Sequence, residues 1–371
     1  MSLQSASERL SAPLDWFRRG WFRWLVHSDF ARATLAHRDR RIATVACVSV
    51  LLAALGAIYF PVLLFTLGPV FLGVAHVASD VRYLVLRRNL ARWWLNVVWA
   101  GCLLLIALRG LEELKLVRHA ERLEFGAAAL FTAVALFAGL REQGSRARAA
   151  LACVALAVAT ALAWADPKMA RYVFLHAHNV IALLAWALLF RANKRWLWAP
   201  ATLIVVGAGV LASGALFGQT LASPFAASFH LHVLTVSDWV APFSDARLAI
   251  GVTTCYLFLQ SVHYSAWLSW IPQEEQASRG TPTFRMSVRS LFADLGAPGV
   301  AAVTLAAAAV LFGAYFDLQR ARALYLSLAT FHGYLELALL GFFWVRGGVR
   351  GARHTVASNP LTANAPAVAL G

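Results

Sequence analysis

Ten apolar runs, each close to the twenty residues that a bilayer demands, leave this chain few folds to choose from. They lie at 43–60, 69–86, 93–109, 123–140, 148–165, 172–190, 196–216, 246–270, 296–316 and 322–345. A helix satisfies its own backbone inside lipid, an open sheet does not, and period-two alternation is absent. The expectation is an all-α, polytopic membrane helical bundle of about ten transmembrane helices. Composition agrees, since 60% of residues are hydrophobic and 14% charged, against about a quarter charged in soluble domains.

Charge sets the orientation. The net charge of +15 falls in short clusters between apolar runs, with no basic domain able to track a phosphate backbone, so no nucleic-acid partner is expected. With the N-terminus in the cytoplasm, 24 of the 33 Lys and Arg lie on that side and nine on the other. The positive-inside rule therefore predicts N-in/C-in topology with membrane lipids as surroundings; the expected location is the bacterial inner (cytoplasmic) membrane.

Three regions follow. Residues 1–42 form a cytoplasmic N-terminal segment, 43–345 the transmembrane helical domain, and 346–371 a cytoplasmic tail whose stretch 355–371 lacks periodicity and reads as disordered. Some forty mixed residues precede the first apolar run, unlike a cleavable signal peptide. Within 13–30, Trp16, Phe17, Trp21, Phe22, Trp24 and Leu25 alternate with Arg18, Arg19 and Arg23, the mixture of a helix lying in the membrane interface. Residues 217–245 hold Pro224, Pro242, two histidines and Asp238, and read as a re-entrant or half-inserted helix. Loop 271–294 is the longest between spans; it reads as a solvated loop, with a reductase dock as the alternative. Cys47, Cys102, Cys153 and Cys255 are solitary, so neither a disulfide framework nor a thiolate metal site is expected.

Histidine carries the functional signal. Seven of the eleven lie inside or beside apolar runs: His76, His176, His178, His230, His232, His263 and His332. An intramembrane ionisable group is costly unless paired or ligated, and imidazole is the commonest metal ligand. His76 and Asp80, and again His332 and Glu336, are four residues apart on one helix face. Each carboxylate is positioned to orient its imidazole, and these two are the candidate catalytic groups. His176 and His178 point about 200° apart on a helix, so only one faces the interior while the other hydrogen-bonds near the interface. His230 and His232 share that spacing, and both face one way only if the segment is extended. Gln260 falls one turn before His263. His27, His37, His119 and His354 lie in polar or interfacial stretches and receive no role.

On these boundaries His76, His176, His178 and His332 sit roughly 8–15 Å from the non-cytoplasmic end, at 1.5 Å per residue. His230 and His232 lie at the same face, while His263 is about seventeen residues deep and does not fit a single site. Nitrogen donors with nearby carboxylates suit Fe, Cu or Zn and disfavour Mg or Ca. Zinc hydrolysis lacks its His-Glu-x-x-His signature. A non-haem iron centre, mono- or di-iron, would use O2 on a lipid-soluble substrate entering sideways from the bilayer. The alternatives are a non-covalent bis-His haem protein, a proton-coupled transporter using Asp80, Glu336 and the histidines as a relay, and a structural membrane protein.

Gly73-x-x-His76-x-x-x-Asp80, Ser261-x-His263-Tyr264 and His332-Gly333 resemble the Brp/Blh family of bacterial carotene dioxygenases. The family's second-span motif reads His-Gly with a further histidine after the aspartate, where this chain has Val77 and Val81. The resemblance implies a polytopic oxygenase with histidine-bound iron that cleaves a carotenoid-like polyene, and a ligand role for His76, His263 and His332. The expected reading is a membrane oxygenase whose iron, in the non-cytoplasmic half, is held by His76, His178, His263 and His332. His176, His230 and His232 are substitute ligands, and Asp80 and Glu336 are orienting groups or bridging ligands of a two-iron site.

Overall fold

The computed structural model describes residues 3–117, 120–190, 194–241, 243–276 and 282–349. The expected disordered tail at 355–371 and part of loop 271–294 lie outside the described residues. The fold is an all-α polytopic helical bundle, with strands among the described residues confined to a hairpin of Ala227–Ser228 and Leu231–His232.

Nine described helices are long and apolar enough to cross a membrane: Arg38–Tyr59, Pro61–Leu86, Arg92–Glu113, Ala120–Arg141, Arg146–Ala165, Pro167–Phe190, Arg195–Ala212, Phe284–Phe316 and Leu318–Arg346. A further helix, Ala246–Ser265 continuing through Ala266–Trp270, occupies the expected 246–270 run but carries Thr253, Thr254, Gln260, His263 and Tyr264, and is not among the nine. Counted with it, these helices are called here the first to tenth spans in chain order. One end of the bundle, carrying Arg82, Arg87 and Arg346, is called the basic end.

The second span begins eight residues earlier than position 69, the start of its apolar run. Pro69 sits inside the helix instead. A proline leaves the carbonyl four residues before it without its helical donor, and here the Arg322 side chain supplies one, its Nε donating to the Phe65 carbonyl at 2.6 Å. The same guanidinium lies over the Phe65 ring at 3.4 Å. The freed backbone group is thus re-satisfied by the tenth span, which is what a proline inside lipid requires.

The tenth, fourth and second spans have 61%, 50% and 44% of their apolar windows buried, against 11%, 11% and 6% for the fifth, seventh and ninth. The former make the centre of the bundle and the latter its lipid-facing rim. The eighth span packs on the first, second, sixth and seventh, and the tenth on the second, third, fourth and sixth. Three spans end at the basic end in a π-helical turn, at Val81–Leu86, Trp186–Phe190 and Ala266–Trp270. Such widened turns appear often at functional sites. These pack the large rings of Trp186, Trp267 and Trp270 out of contact with solvent, and Ser79 Oγ donates to the Trp267 carbonyl at 2.6 Å.

Residues 217–245 do not form a re-entrant helix. Helices Phe217–Leu221 and Val233–Val240 flank a two-residue turn in which Phe229 and His230 have φ of 54° and 60°. Two consecutive positive φ values are the geometry of a tight hairpin turn, and no continuous helix survives it. Loop 271–294 is also shorter than expected, because helix Ile271–Glu274 extends one flank and the ninth span already begins at Phe284. That span breaks at Gly296, where φ is 68° ahead of Pro298, which explains why the apolar run starts there.

The N-terminal segment is helical, with Ala12–Leu25 leaving Trp16, Phe17, Trp21 and Trp24 exposed, as an interfacial helix does. Its Asp15 is buried and caps the ninth span, accepting from the backbone N–H of Phe284 at 2.6 Å and of Arg285 at 3.4 Å, and from Arg285 Nε at 3.1 Å. Burial alone pushes this carboxyl up, but those donors outweigh burial and hold it below the ordinary aspartate value of 3.8. A depressed folded pKa contributes stability that is present above the unfolded value and lost as pH falls through the folded one. Docking of the N-terminal helix is therefore expected to weaken below about pH 4. Limited proteolysis of the 1–42 segment across pH 3–7 checks this, with Asp15→Asn cleaved at every pH.

Candidate metal centre

Four histidines from four spans meet in the interior. His76 and His332 are nearly fully buried, His263 has no exposed surface, and His178 is half-buried. Their rings close a cycle with centres 4.8 Å apart for His76–His332, 5.5 Å for His332–His178, 5.1 Å for His178–His263 and 5.3 Å for His263–His76. Four imidazoles binding one ion through nitrogens at ~2.1 Å would space their ring centres by about 4.6–5.3 Å. The cycle is close to that arrangement.

Backbone contacts orient two of the rings. His178 Nδ1 lies 3.1 Å from the Leu175 carbonyl, and His332 Nδ1 is hydrogen-bonded to the Ala329 carbonyl. An Nδ1–H donated to a carbonyl leaves Nε2 as the free lone pair, the usual arrangement for a ligating histidine. His332 Nε2 lies 3.1 Å from His76 Nε2. One ligand atom each from His76, His263 and His332 lies within 4.8 Å of the others. Both ring nitrogens of His263 lack a hydrogen-bond partner. Buried polar atoms left unpaired are rare and call for a reason. A cation held in common would supply one.

Gly333 allows the sixth span to approach the tenth. A Cβ there would lie 2.9 Å from Phe174 and 3.4 Å from the Cβ of His178. Gly73 does the same beside His76, where a Cβ would sit 2.4 Å from the Tyr325 ring. Both glycines stand in the short patches around the histidines, and close packing is what they contribute.

The histidine depths differ from the sequence reading. His76 is fifteen residues past Pro61, His178 eleven past Pro167, His263 seventeen past Ala246 and His332 fourteen past Leu318. At 1.5 Å per residue that is about 16–26 Å from the end opposite the basic one, deeper than the 8–15 Å expected. His263 is no misfit. The second span extends eight residues beyond the start of its apolar run, and the sixth and tenth also begin some four to five residues earlier than theirs.

The other histidines stand apart from this cluster. His176 reaches the Val240 carbonyl at 2.9 Å, tying the sixth span to helix Val233–Val240, so the pair at 176 and 178 divides as helical geometry requires. His230 is exposed in the hairpin turn, and His232 Nδ1 accepts the Leu234 N–H at 3.2 Å as a helix cap. These three stand outside the cycle of rings; His178 belongs to that cycle by its ring contacts, while the ligand atoms that converge within 4.8 Å are those of His76, His263 and His332.

Asp80 and Glu336 are both buried in the interior but do not orient the imidazoles four residues before them. His332 gives its Nδ1 to the backbone, and neither oxygen of either carboxylate has a hydrogen-bond partner. The two carboxylates face the same place: one ligand atom each of Asp80, Glu336 and His332 lies within 4.8 Å of the others. Glu336 Oε1 is 3.7 Å from His263 Nε2.

Sequence reasoning missed a third carboxylate buried within the spans. Glu124 lies inside the fourth span, where its Oε1 accepts from Tyr334 Oη at 2.9 Å and its Oε2 lies 2.9 Å from Arg109 Nε and 3.8 Å from Arg171. Its position within the drawn run 123–140 was the available signal. Tyr334 stacks on Phe174 with ring centres 4.3 Å apart, beside His178.

A cavity of about 800 Å³ reaches the cluster. His76, His178 and His332 line its deep end, with Phe174, Leu175, Tyr256, Gln260, Tyr264 and Leu326 along its walls. Arg109, Glu113, Lys168 and Arg171 line its far end, among which Glu113 and Lys168 are exposed. These residues place that part of the cavity at the end opposite the basic one. Compared with protein-family models, with curated proteins and with solved structures, the chain matches none.

Proposed function

We propose that the protein is an integral membrane oxygenase that uses O2 and a non-haem iron held by His76, His178, His263 and His332 to oxidise or cleave an apolar lipid or polyene. The carrying observation is the closed ring of four imidazoles at the deep end of a largely apolar cavity. Neutral nitrogen ligands resist oxidation and suit iron, copper or zinc. Such an iron, when bound, would supply O2 activation.

The chain's own residues account for the rest of the requirement. Backbone carbonyls of Leu175 and Ala329 keep two imidazoles turned inward. Phe174, Leu326 and Tyr264 give an apolar wall that excludes water around a long hydrocarbon. A volume of about 800 Å³ falls in the range of small-molecule sites, roughly 300–1,000 Å³. Haem fits less well. Two axial imidazoles flank the macrocycle with their nitrogens ~4 Å apart across the metal, whereas His76 and His332 bring theirs to 3.1 Å on one side.

The resemblance of the patches around His76, His263 and His332 to Brp/Blh carotene dioxygenases points the same way, with a carotenoid-like polyene as the leading substrate class. One O2 across one carbon–carbon double bond gives two carbonyls and needs no external electrons; hydroxylation would need a reductase. The charge rule supports an N-in/C-in orientation with the charged end of the cavity toward the non-cytoplasmic side, and the Brp/Blh resemblance supports a bacterial cytoplasmic membrane. The test is incubation of the iron-loaded protein in detergent with β-carotene and other polyenes under ¹⁸O2, without reductant. The reading expects aldehyde or ketone products carrying ¹⁸O. Failure of every apolar substrate in iron-loaded protein, with and without a reductant, would contradict it.

A further inference from the structure

Asp80 and Glu336 are 0% and 1% exposed, and all four of their carboxylate oxygens lack a hydrogen-bond partner. Two carboxylates side by side inside a membrane repel each other and are costly to desolvate. No arginine or lysine forms an ion pair with either among the described residues. The single contact of that kind is His263 Nε2, 3.7 Å from Glu336 Oε1. His263 is itself fully buried with neither ring nitrogen hydrogen-bonded, so an imidazole without a hydrogen-bond partner faces the carboxylates. His332 brings a ligand atom within 4.8 Å of both acids.

A shared proton would join the two acids through one hydrogen bond, and the Trp267 indole beside Glu336 offers one more donor, but both nitrogens of His263 would still be unpaired. A divalent cation removes the repulsion and engages both carboxylates together. Four neutral imidazoles around the first ion also bring no counter-charge, and the acids stand one turn from two of them. We propose that Asp80 and Glu336 hold a second divalent metal ion on the basic side of the histidine ring, next to His263 and His332, making the centre dinuclear. The inference rests on the reading of the histidine ring as a metal site. Two carboxylates suit a harder ion such as Fe(II), Mn(II) or Co(II), and disfavour Cu(I).

The experiment strips the full-length detergent-solubilised protein of metal and titrates it with Co(II), reading bound cobalt by elemental analysis and the spin state by EPR. Wild type is expected to bind two equivalents, the second of which attenuates the EPR signal of the first by spin coupling. Asp80→Asn/Glu336→Gln is expected to bind one equivalent with an uncoupled signal. One equivalent in wild type, unchanged in the double variant, overturns the second site and leaves the first standing. No bound cobalt in well-folded wild type overturns both.

Discussion

Replacing His332 by alanine is expected to lower metal affinity at least a hundredfold, while His176→Ala stays within about tenfold of wild type. Loss of a group that merely orients a ligand already costs 10–100-fold in affinity, and loss of the ligand itself exceeds that. His332 occupies the centre of the arrangement. Its Nδ1 is tied to Ala329, its Nε2 is 3.1 Å from His76 Nε2, and its ring contacts those of His76, His178 and His263. His176, two residues from a proposed ligand, faces Val240 instead. Competition against a chromophoric chelator measures both variants. Equal loss in the two would mean that the ring is not a ligand set.

Glu124→Ala is expected to destabilise the protein by about 1–3 kcal/mol, the range for leaving a buried hydrogen-bonding group without its partner, since Arg109 keeps Glu112 and Arg171 keeps Glu112 and Glu121. The carboxylate is 1% exposed and joins Arg109 of the third span, Arg171 of the sixth and Tyr334 of the tenth. Its loss leaves the half-buried Arg109 beside a vacated site and the Tyr334 hydroxyl without its acceptor. Glu124→Gln keeps an acceptor for Tyr334 and is expected to lose less. Unfolding in mixed micelles, followed by tryptophan fluorescence, separates the two. Because Tyr334 adjoins Gly333 and stacks on Phe174, the alanine variant is also expected to loosen the packing around His178.

Much of this architecture was legible in the sequence because lipid imposes strong rules. Ten apolar runs became helices at nearly the expected places, and the i, i+2 spacing correctly separated His176 from His178. The errors came where a long-range contact overrides a local signal. Pro69 reads as a helix start, but Arg322, more than two hundred residues away in sequence, satisfies the carbonyl that the proline frees. That shift of the span boundary made His263 look too deep. The hairpin at 227–232 depends on two positive φ values at Phe229 and His230, residue types that do not announce such a turn. The π-helical ends of three spans carry no sequence mark. The contact between Asp80 and Glu336 joins two helices, and single-chain periodicity paired each acid with the histidine on its own helix instead.

The most direct test of the central claim is elemental analysis of the detergent-purified protein together with its optical spectrum. The account predicts iron at one equivalent or more, no Soret band, and loss of the histidine-held iron in a His76→Ala/His178→Ala variant that still elutes as folded protein. A Soret band, or a folded wild-type protein that neither carries nor takes up metal, would contradict it.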